Sequence, residues 1–235
     1  MIGKTSGETL DLFDIHRKKL IRILHLNSDI KDIDDFHQDR DGYVWSILIY
    51  DQFTRDSVST LFKVGNLRSD NITLDLILSS TREKLHGVNA LYLVQPTTEN
   101  INYIIADIAN DLYDAMYINF TYPVDPETLQ KLANAVGKYS ATSKIRQIYQ
   151  HHLNFVTLSS DHFTFYMKQT YAQLKTLAEE PKARLLDQIA ISLFSVLRTL
   201  GIVPMIHYQS GLGQEIAMRL EVNCALNRSR LKRSI

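Results

Sequence analysis

The first residue that could support catalysis is Asp51, which directly follows the apolar run from Trp45 to Tyr50 (WSILIY). An acid at the carboxyl end of a buried strand can hold a metal ion or accept a phosphoryl group in doubly wound α/β proteins. A lone aspartate at such a position is far more commonly a loop or cap residue. We therefore interpret Asp51 as a structural residue.

Two glycine-containing segments partly match nucleotide-binding motifs. Gly137-Lys138 has the dipeptide of a phosphate-binding loop, but Leu132 replaces its first glycine and Tyr139 its Ser or Thr. The segment from Gly211 to Gly213 lies between strand-like and helix-like stretches, where a dinucleotide-binding loop would lie. Ile216 occupies the position of that loop's third glycine, so we interpret the segment as a glycine-rich helix entrance.

Metal-binding and nucleophile motifs are incomplete as well. The pair His151-His152 is a poor bidentate set on a helix, because neighbouring residues point about 100° apart. The acidic stretch from Asp29 to Asp41 lacks the ligand spacing of a calcium loop and predicts a solvated connector. No H-E-x-x-H, C-x-x-C or G-x-S-x-G motif occurs. We predict no catalytic site, no metal and no cofactor.

Charge and composition narrow the range of partners. Lys and Arg number 26 and balance 26 Asp and Glu, so no net field attracts nucleic acid or an anionic membrane. No apolar run approaches the roughly 18 residues of a membrane-spanning helix. The first residues lack the profile of a signal peptide. The single Cys224 excludes an internal disulfide framework and fits a reducing compartment.

Four apolar segments predict a parallel sheet. The run from Trp45 to Asp51 lacks polar alternation, as strands buried on both faces do. Similar runs follow at Thr73 to Leu78, Val88 to Val94 and Met116 to Phe120, separated by turn or helix signals. This alternation is typical of a doubly wound α/β domain.

Helix signals lie before, between and after these strands. A helical stripe begins at Leu12 and ends at Leu24, and a second helix is predicted over Phe53 to Val64 with Gly65 as its left-handed cap. Thr97 is the expected N-cap of a third helix. Asp125-Pro126 starts a fourth, whose apolar stripe ends at Gly137.

The segment from Thr142 to His152 carries apolar residues at helical spacing, which predicts a helix packed on the sheet. Short strands are expected on both sides of the turn Ser159 to Asp161, over Leu153 to Leu158 and over Phe163 to Tyr166.

Helices dominate after Tyr166. The stripe over Arg184 to Leu200 ends at Gly201, and Val203 to Tyr208 is expected to begin a second sheet. We predict a first domain over residues 1–160, with its amino-terminal helix, and the helical start of a second α/β domain over 161–235.

The sequence resembles the SM (Sec/Munc) family of syntaxin-binding proteins, and most closely its ER–Golgi, Sly-type branch. The segments that carry the resemblance are VWSILIYDQFTRD (44–56), LRSDNITLDLIL (67–78), ALYLVQPTTENI (90–101), HLNFVTLSSDHF (152–163) and LGIVPMIHY (200–208). The resemblance implies an α/β first domain followed by the incomplete start of a second. Family members continue beyond the last predicted helix, so it also implies an amino-terminal portion.

The resemblance further implies a function. Family members are SNARE-binding regulators of vesicle docking and fusion, here in ER–Golgi transport, and are not enzymes. We expect a monomer that is cytoplasmic, peripheral to ER–Golgi membranes through a syntaxin-type SNARE, without nucleic acid and without direct membrane insertion. The alternative is a small doubly wound α/β enzyme or nucleotide-binding protein, which predicts a polar cleft near Asp51 and Pro96.

The resemblance also implies a site. In this branch an amino-terminal syntaxin peptide inserts a phenylalanine into an apolar pocket on the outer face of the first domain. By position, the pocket residues are Ile145, Ile148, Tyr149 and Thr164. Relatives have an acid, which can pair with an arginine of the peptide, where this chain has Gln150.

Overall fold

The computed structural model describes residues 11–27 and 45–231, and their side chains as far as residue 226. The helices are α1 (Leu12–Leu24), α2 (Gln52–Leu61), α3 (Val64–Ser69), α4 (Thr98–Ala109), α5 (Pro126–Lys138), α6 (Thr170–Thr176), α7 (Glu179–Leu200) and α8 (Leu212–Leu231). The strands are β1 (Ser46–Tyr50), β2 (Ile72–Ile77), β3 (Leu85–Val94), β4 (Tyr113–Phe120), β5 (Ile145–Gln150), β6 (Val156–Thr157) and β7 (Phe163–Thr164). The predicted acidic connector, Asp29 to Asp41, lies outside the described residues.

A five-stranded parallel sheet forms the centre of the molecule, in the order β2-β1-β3-β4-β5. Every residue of β1 is buried, as its unbroken apolar run predicts. Strand β2 lies on one side of β1, and β3, β4 and β5 follow in order on its other side. This reversal confirms the doubly wound α/β fold, with its switch point between β1 and β3.

Two apolar layers cover the sheet. On one face, side chains of α4 and α5 pack on alternate strand residues such as Ile49, Tyr92 and Ile118. On the other face, α1 and α2 pack on the intervening residues, such as Leu48 and Leu91. Successive strand residues point to opposite faces of the sheet, so the residues of each buried run pack alternately against the two helix layers.

Local capping signals explain most helix boundaries. The side chains of Asp51, Thr97 and Asp125 accept hydrogen bonds from main-chain nitrogens in the first turns of α2, α4 and α5. Gly201 ends α7 in the left-handed conformation, with φ of 68°. These caps confirm the expected starts of the three helices and the expected end of α7.

The chain after the sheet forms a hairpin and two long helices. Strands β6 and β7 pair antiparallel around the predicted turn, and the Leu158 nitrogen donates to the His162 carbonyl at 2.8 Å. Phe155 and Val196 pack with Leu12, which joins the hairpin and α7 to α1. None of the helices in the described ranges is both long and apolar enough to cross a membrane. The domain division near residue 160 stays a prediction.

Three local predictions are wrong. Thr142 to His152 contains strand β5 instead of a helix, because its backbone bonds to β4: the Met116 nitrogen donates to the Lys144 carbonyl, and the His151 nitrogen to the Phe120 carbonyl, both at 2.8 Å. Gly65 lies inside α3 instead of capping α2.

The third wrong prediction is the strand over Val203 to Tyr208, which has no regular hydrogen-bonded structure. Its Val203 and Met205 side chains are exposed, and no strand within the described part of the chain lies beside it. A strand needs a pairing neighbour, so strand-like composition alone does not form one.

Candidate binding edge of the sheet

Strand β5 is an outer strand of the sheet, with β4 on one side only. Outer strands leave one row of main-chain N–H and C=O groups without ladder partners, which a peptide can use. Two large apolar side chains of β5 are exposed here, Ile148 at 40% and Tyr149 at 42%. Exposed apolar side chains on an open strand edge make this edge the best candidate for binding.

A bulge in β5 places Ile145 and Ile148 on the same face of the sheet. Ile145 pairs with Met116, and Ile148 pairs with Ile118, with a register shift after the first pair. Residues paired in a parallel ladder point to the same face, and Met116 and Ile118 both belong to the core under α4 and α5. Because the bulge adds one residue, a spacing of three brings the two isoleucines together.

Tyr149 points the other way. It pairs with Asn119, one residue from Ile118 along β4, and therefore lies on the α1 side of the sheet. Its ring stacks against that of His151, with centroids 6.1 Å apart. The predicted helical face of Ile145, Ile148 and Tyr149 is therefore divided between the two faces of a strand.

Helix α5 covers the face of the sheet to which Ile145 and Ile148 point. Leu129 and Val136 are only partly buried and pack on the same core as Ile145. Ala133, between them on the helix, is exposed. These α5 residues, which the sequence analysis assigned only to an apolar stripe, add partly exposed apolar surface on the same side of the sheet as Ile148. The sequence alone does not distinguish these partly buried side chains from fully buried ones.

Gln150 also lies on the α5 side, and its Oε1 atom accepts a hydrogen bond of 3.3 Å from the Val124 nitrogen in the loop before α5. Thr164 lies in the separate β6–β7 hairpin, where its Oγ1 atom accepts from the Tyr166 nitrogen at 3.1 Å. The ladder thus directs Ile145, Ile148 and Gln150 to the α5 side of the sheet and Tyr149 to the other side, and Thr164 belongs to a separate hairpin.

The alternative prediction, an α/β enzyme or nucleotide-binding protein, requires a polar cleft at the switch point of the sheet. A cleft of about 700 Å³ opens there, lined by residues such as Gln52, Gln95 and Tyr122. Burial and the nearby Asp51 raise the pKa of Tyr122, so this phenol is neutral at physiological pH. The lining consists largely of amides and aromatic rings, and the glycine-rich loop of a phosphate site is missing from it.

The Asp51 carboxylate is engaged by its surroundings. One oxygen accepts from the Thr54 nitrogen at 2.8 Å and from the Thr54 hydroxyl at 2.9 Å. The other accepts from the Gln95 nitrogen and from the Asn100 amide, both at 2.7 Å. Both carboxylate oxygens are thus bonded within the protein, which agrees with the interpretation of Asp51 as a structural residue. Among the described residues, no group of three or more His, Cys, Asp or Glu side chains could hold a metal ion.

Comparisons with known proteins agree with this architecture. The sequence profile of the Sec1 family matches residues 46–233. The SEC1 family transport protein SLY1 of Arabidopsis thaliana is 34% identical over 203 residues, which are 86% of this chain and 32% of the relative. The mouse Sec1 family domain-containing protein 1 is 32% identical over 228 residues, which are 94% of this chain and 35% of the relative. The chain spans about a third of the length of these curated relatives.

Solved structures share the fold. The crystal structure of Sly1p in complex with an N-terminal peptide of Sed5p superposes with a TM-score of 0.83 at 28% identity, over 92% of this chain and 38% of that one. The SM protein Vps45 superposes with a TM-score of 0.77 at 17% identity, over 95% of this chain and 40% of that one, which shows the fold alone. The resemblance to Sly-type SM proteins is confirmed, and the chain belongs to the Sec1 family.

Proposed function

We propose that this chain is the peptide-docking portion of a SNARE-binding regulator of vesicle docking and fusion in ER–Golgi transport. Its partner is the amino-terminal peptide of a syntaxin-type SNARE, and its docking site is a groove between β5 and α5 that we propose is formed by Ile145, Ile148, Leu129, Ala133 and Val136. The observation that carries the proposal is the exposure of Ile148 on the edge strand, on the face of the sheet that α5 covers. Support comes from the similar Sly1p structure, which is a complex with a Sed5p amino-terminal peptide.

The groove suits one aromatic side chain. Burying a phenylalanine ring against Ile148 and the α5 side chains contributes roughly 2 to 3 kcal/mol. The open main-chain groups of β5 can orient the peptide by hydrogen bonds, as in other strand-edge complexes. Apolar burial and edge hydrogen bonding together are sufficient for recognition without any titratable residue in the groove.

Gln150 changes the polar part of this recognition. An amide at this position can accept a hydrogen bond from an arginine of the peptide but provides no charge, and charge-assisted hydrogen bonds are about twice as strong as neutral ones. The Gln150 side chain is also bonded to Val124. We therefore expect apolar contacts to dominate peptide affinity, and Gln150→Glu to strengthen binding of an arginine-containing peptide.

The protein acts in this proposal as a monomer on the cytoplasmic side of ER–Golgi membranes, where its SNARE partner holds it. It acts by binding, without a chemical step. The alternative, an α/β enzyme or nucleotide-binding protein that uses the switch-point cleft, is tested separately in the Discussion.

Fluorescence anisotropy with labelled amino-terminal peptides of Golgi syntaxins tests the proposal. Each peptide is paired with a version in which its phenylalanine is replaced by alanine. We expect the native peptide to bind and the alanine version to bind at least about tenfold more weakly, because anchor residues carry most of the binding energy. Equal affinity of the two peptides would refute an aromatic anchor, and the lack of binding by any syntaxin peptide would refute the proposed function.

A further inference from the structure

Helix α6 contains no buried residue, and only Thr170 and Leu174 of its side chains are partly buried. The helix has seven residues, whereas helices shorter than about 12 to 15 residues are marginal in water unless tertiary packing supports them. Elements with few buried apolar contacts open at a low cost in free energy. We therefore expect α6 to unwind more readily than the helices that cover the sheet.

The start of α6 adds little to its stability. Tyr166 and Gln169 both have φ of 57°, in the left-handed region that residues with a Cβ atom rarely adopt. Gln169 is the N-cap of α6, and its side chain makes no capping hydrogen bond. The helix thus begins without the side-chain caps that α2, α4 and α5 have.

The last residue of α6, Thr176, is exposed. Its Oγ1 atom donates a hydrogen bond of 3.0 Å to the Ala172 carbonyl, one turn earlier in the helix. Such a bond from a side chain back to the helix slightly destabilises a helix. The Thr176 hydroxyl is therefore an accessible group on an element that unwinds readily, as an enzyme that modifies extended segments requires.

Two acids follow Thr176 at a regular distance. Glu179 and Glu180 are the third and fourth residues after it, and both are exposed. Acidophilic protein kinases select a Ser or Thr by pairing their own basic side chains with carboxylates at these positions. Thr5 and Ser80 also have an acid at the third position, but neither has one at the fourth.

Surface ion pairs do not withdraw these acids from a kinase. Glu180 pairs with Arg184 at 2.9 Å and Glu179 with Lys182 at 3.7 Å, within the first turns of α7. The two glutamate side chains remain 93% and 82% exposed, for Glu179 and Glu180 respectively. Ion pairs this exposed contribute little free energy, so a kinase can replace them.

We propose that Thr176 is a phosphorylation site for an acidophilic protein kinase, and that its phosphorylation unwinds α6. In the reaction the Thr176 Oγ1 atom forms a bond to the γ-phosphorus of ATP. The bond between that phosphorus and the oxygen bridging to the β-phosphate breaks, and ADP leaves. The hydroxyl proton passes to a base of the kinase.

The phosphate disfavours the helix in three ways. The modified oxygen can no longer donate to the Ala172 carbonyl. The last carbonyls of a helix carry partial negative charge, which repels a phosphate of about −1.5 to −2 charges. Glu179 and Glu180 add further repulsion. Lys175 is the adjacent cation, with its Nζ atom 4.4 Å from the centroid of the Tyr171 ring, and one positive charge does not balance these groups.

Unwinding of α6 affects the switch-point cleft, because the residues from Phe165 to Lys168 line that cleft and come just before the helix. The phosphate therefore loosens one wall of the cleft. The inference does not depend on the proposed peptide groove, since all its residues lie outside β5 and α5.

Phosphorylation of the full chain by casein kinase 2 with ATP and Mg²⁺ tests the site, with the modified residue located by mass spectrometry. We expect the phosphate on Thr176 and its loss from that position in Thr176→Val. Glu179→Gln/Glu180→Gln should react at least about tenfold more slowly, because the ion pairs with the kinase are lost. Thr170→Val is the matched control: it removes a hydroxyl from the same helix, lacks acids at the third and fourth positions, and should react like the wild type.

Hydrogen exchange of the phosphorylated and unmodified chains measures the unwinding. We expect phosphorylation to remove the protection of α6 amides and to leave that of α7 unchanged. The lack of phosphate on Thr176, its transfer to Thr5 or Ser80 in place of Thr176, or an equal rate for the double glutamine variant overturns the site. Unchanged exchange of α6 after phosphorylation, or no protection of α6 before it, overturns the unwinding.

Discussion

The Oδ2 atom of Asp51 accepts a hydrogen bond of 2.7 Å from the main-chain nitrogen of Gln95. Asp51 follows β1 and Gln95 follows β3, so this bond joins the two strands that border the switch point of the sheet. In doubly wound enzymes the same crevice receives the ligand. In this chain the acid at that crevice is used to hold the two chain segments together.

Asp51→Ala should therefore destabilise the fold by about 3 kcal/mol, because it removes a helix cap and leaves the Gln95 nitrogen and Asn100 amide without their acceptor. Asp125→Ala is the matched control, since Asp125 caps α5 from an exposed position and should cost about 1 kcal/mol. Urea unfolding of the three proteins measures both values. Equal losses for the two variants would contradict the joining role of Asp51.

Ile49→Asp should abolish soluble expression. Ile49 is fully buried in β1, and an unpaired carboxylate there costs as much as or more than the roughly 5 to 15 kcal/mol that stabilises a domain. Ile49→Val, which removes one methyl group, should cost only about 1 kcal/mol and express normally. A soluble, cooperatively melting Ile49→Asp protein would show that the centre of the sheet lies elsewhere.

The buried parts of the fold could be predicted from the sequence because both local and tertiary signals agree there. The apolar runs of β1, β3 and β4 have no polar alternation, since each meets a helix layer on both faces. Thr97 and Asp125 cap their helices through contacts three residues away, which a local pattern contains.

The edge strand could not be predicted in the same way. The bulge after Ile145 gives β5 apolar residues at spacings of three and four, which are also the spacings of an amphipathic helix. Only pairing with β4 distinguishes the two structures, and pairing is a tertiary property. For the same reason the sequence placed Tyr149 beside Ile148, whereas the strand directs the two side chains to opposite faces.

Stability should fall as the pH is lowered through the range where unfolded histidine titrates, because of His16. Its Nδ1 atom lies 2.8 Å from the Thr157 hydroxyl, and its buried Nε2 atom has no hydrogen-bond partner within the described ranges. Burial lowers the pKa of His16 from 6.5 to about 3. Between these two values the unfolded chain binds a proton that the folded chain does not, so lowering the pH favours unfolding.

The expected slope is up to about 1.4 kcal/mol per pH unit, or about 2 kcal/mol between about pH 6.5 and about pH 5. His151, whose pKa is also lowered, adds to the slope with the same sign. Urea unfolding at several pH values measures this dependence, with His16→Asn as the control that retains a polar group near Thr157. A control with the same slope as the wild type would show that His16 does not cause the effect.

Nucleotides should not bind at the switch-point cleft. Thermal-shift measurements of the wild-type protein with nucleotides and Mg²⁺ test this. We expect no stabilisation of the protein. A reproducible rise in its melting temperature with any nucleotide, lost again when Gln52 or Gln95 is replaced, would favour the α/β enzyme or nucleotide-binding alternative.

The most direct test of the account compares Ile148→Lys with Tyr149→Lys in binding a syntaxin amino-terminal peptide. The two residues are neighbours on β5 and are about equally exposed, at 40% and 42%, but they point to opposite faces. Both variants should melt near the wild-type temperature. Only Ile148→Lys puts a charge in the proposed groove, and an aromatic ring of the peptide must displace that charge to bind. Ile148→Lys should therefore weaken binding by at least about 2 kcal/mol, or about thirtyfold. Tyr149→Lys should bind the peptide like the wild type. An Ile148→Lys protein that melts normally and binds the peptide at wild-type strength would contradict the proposed site.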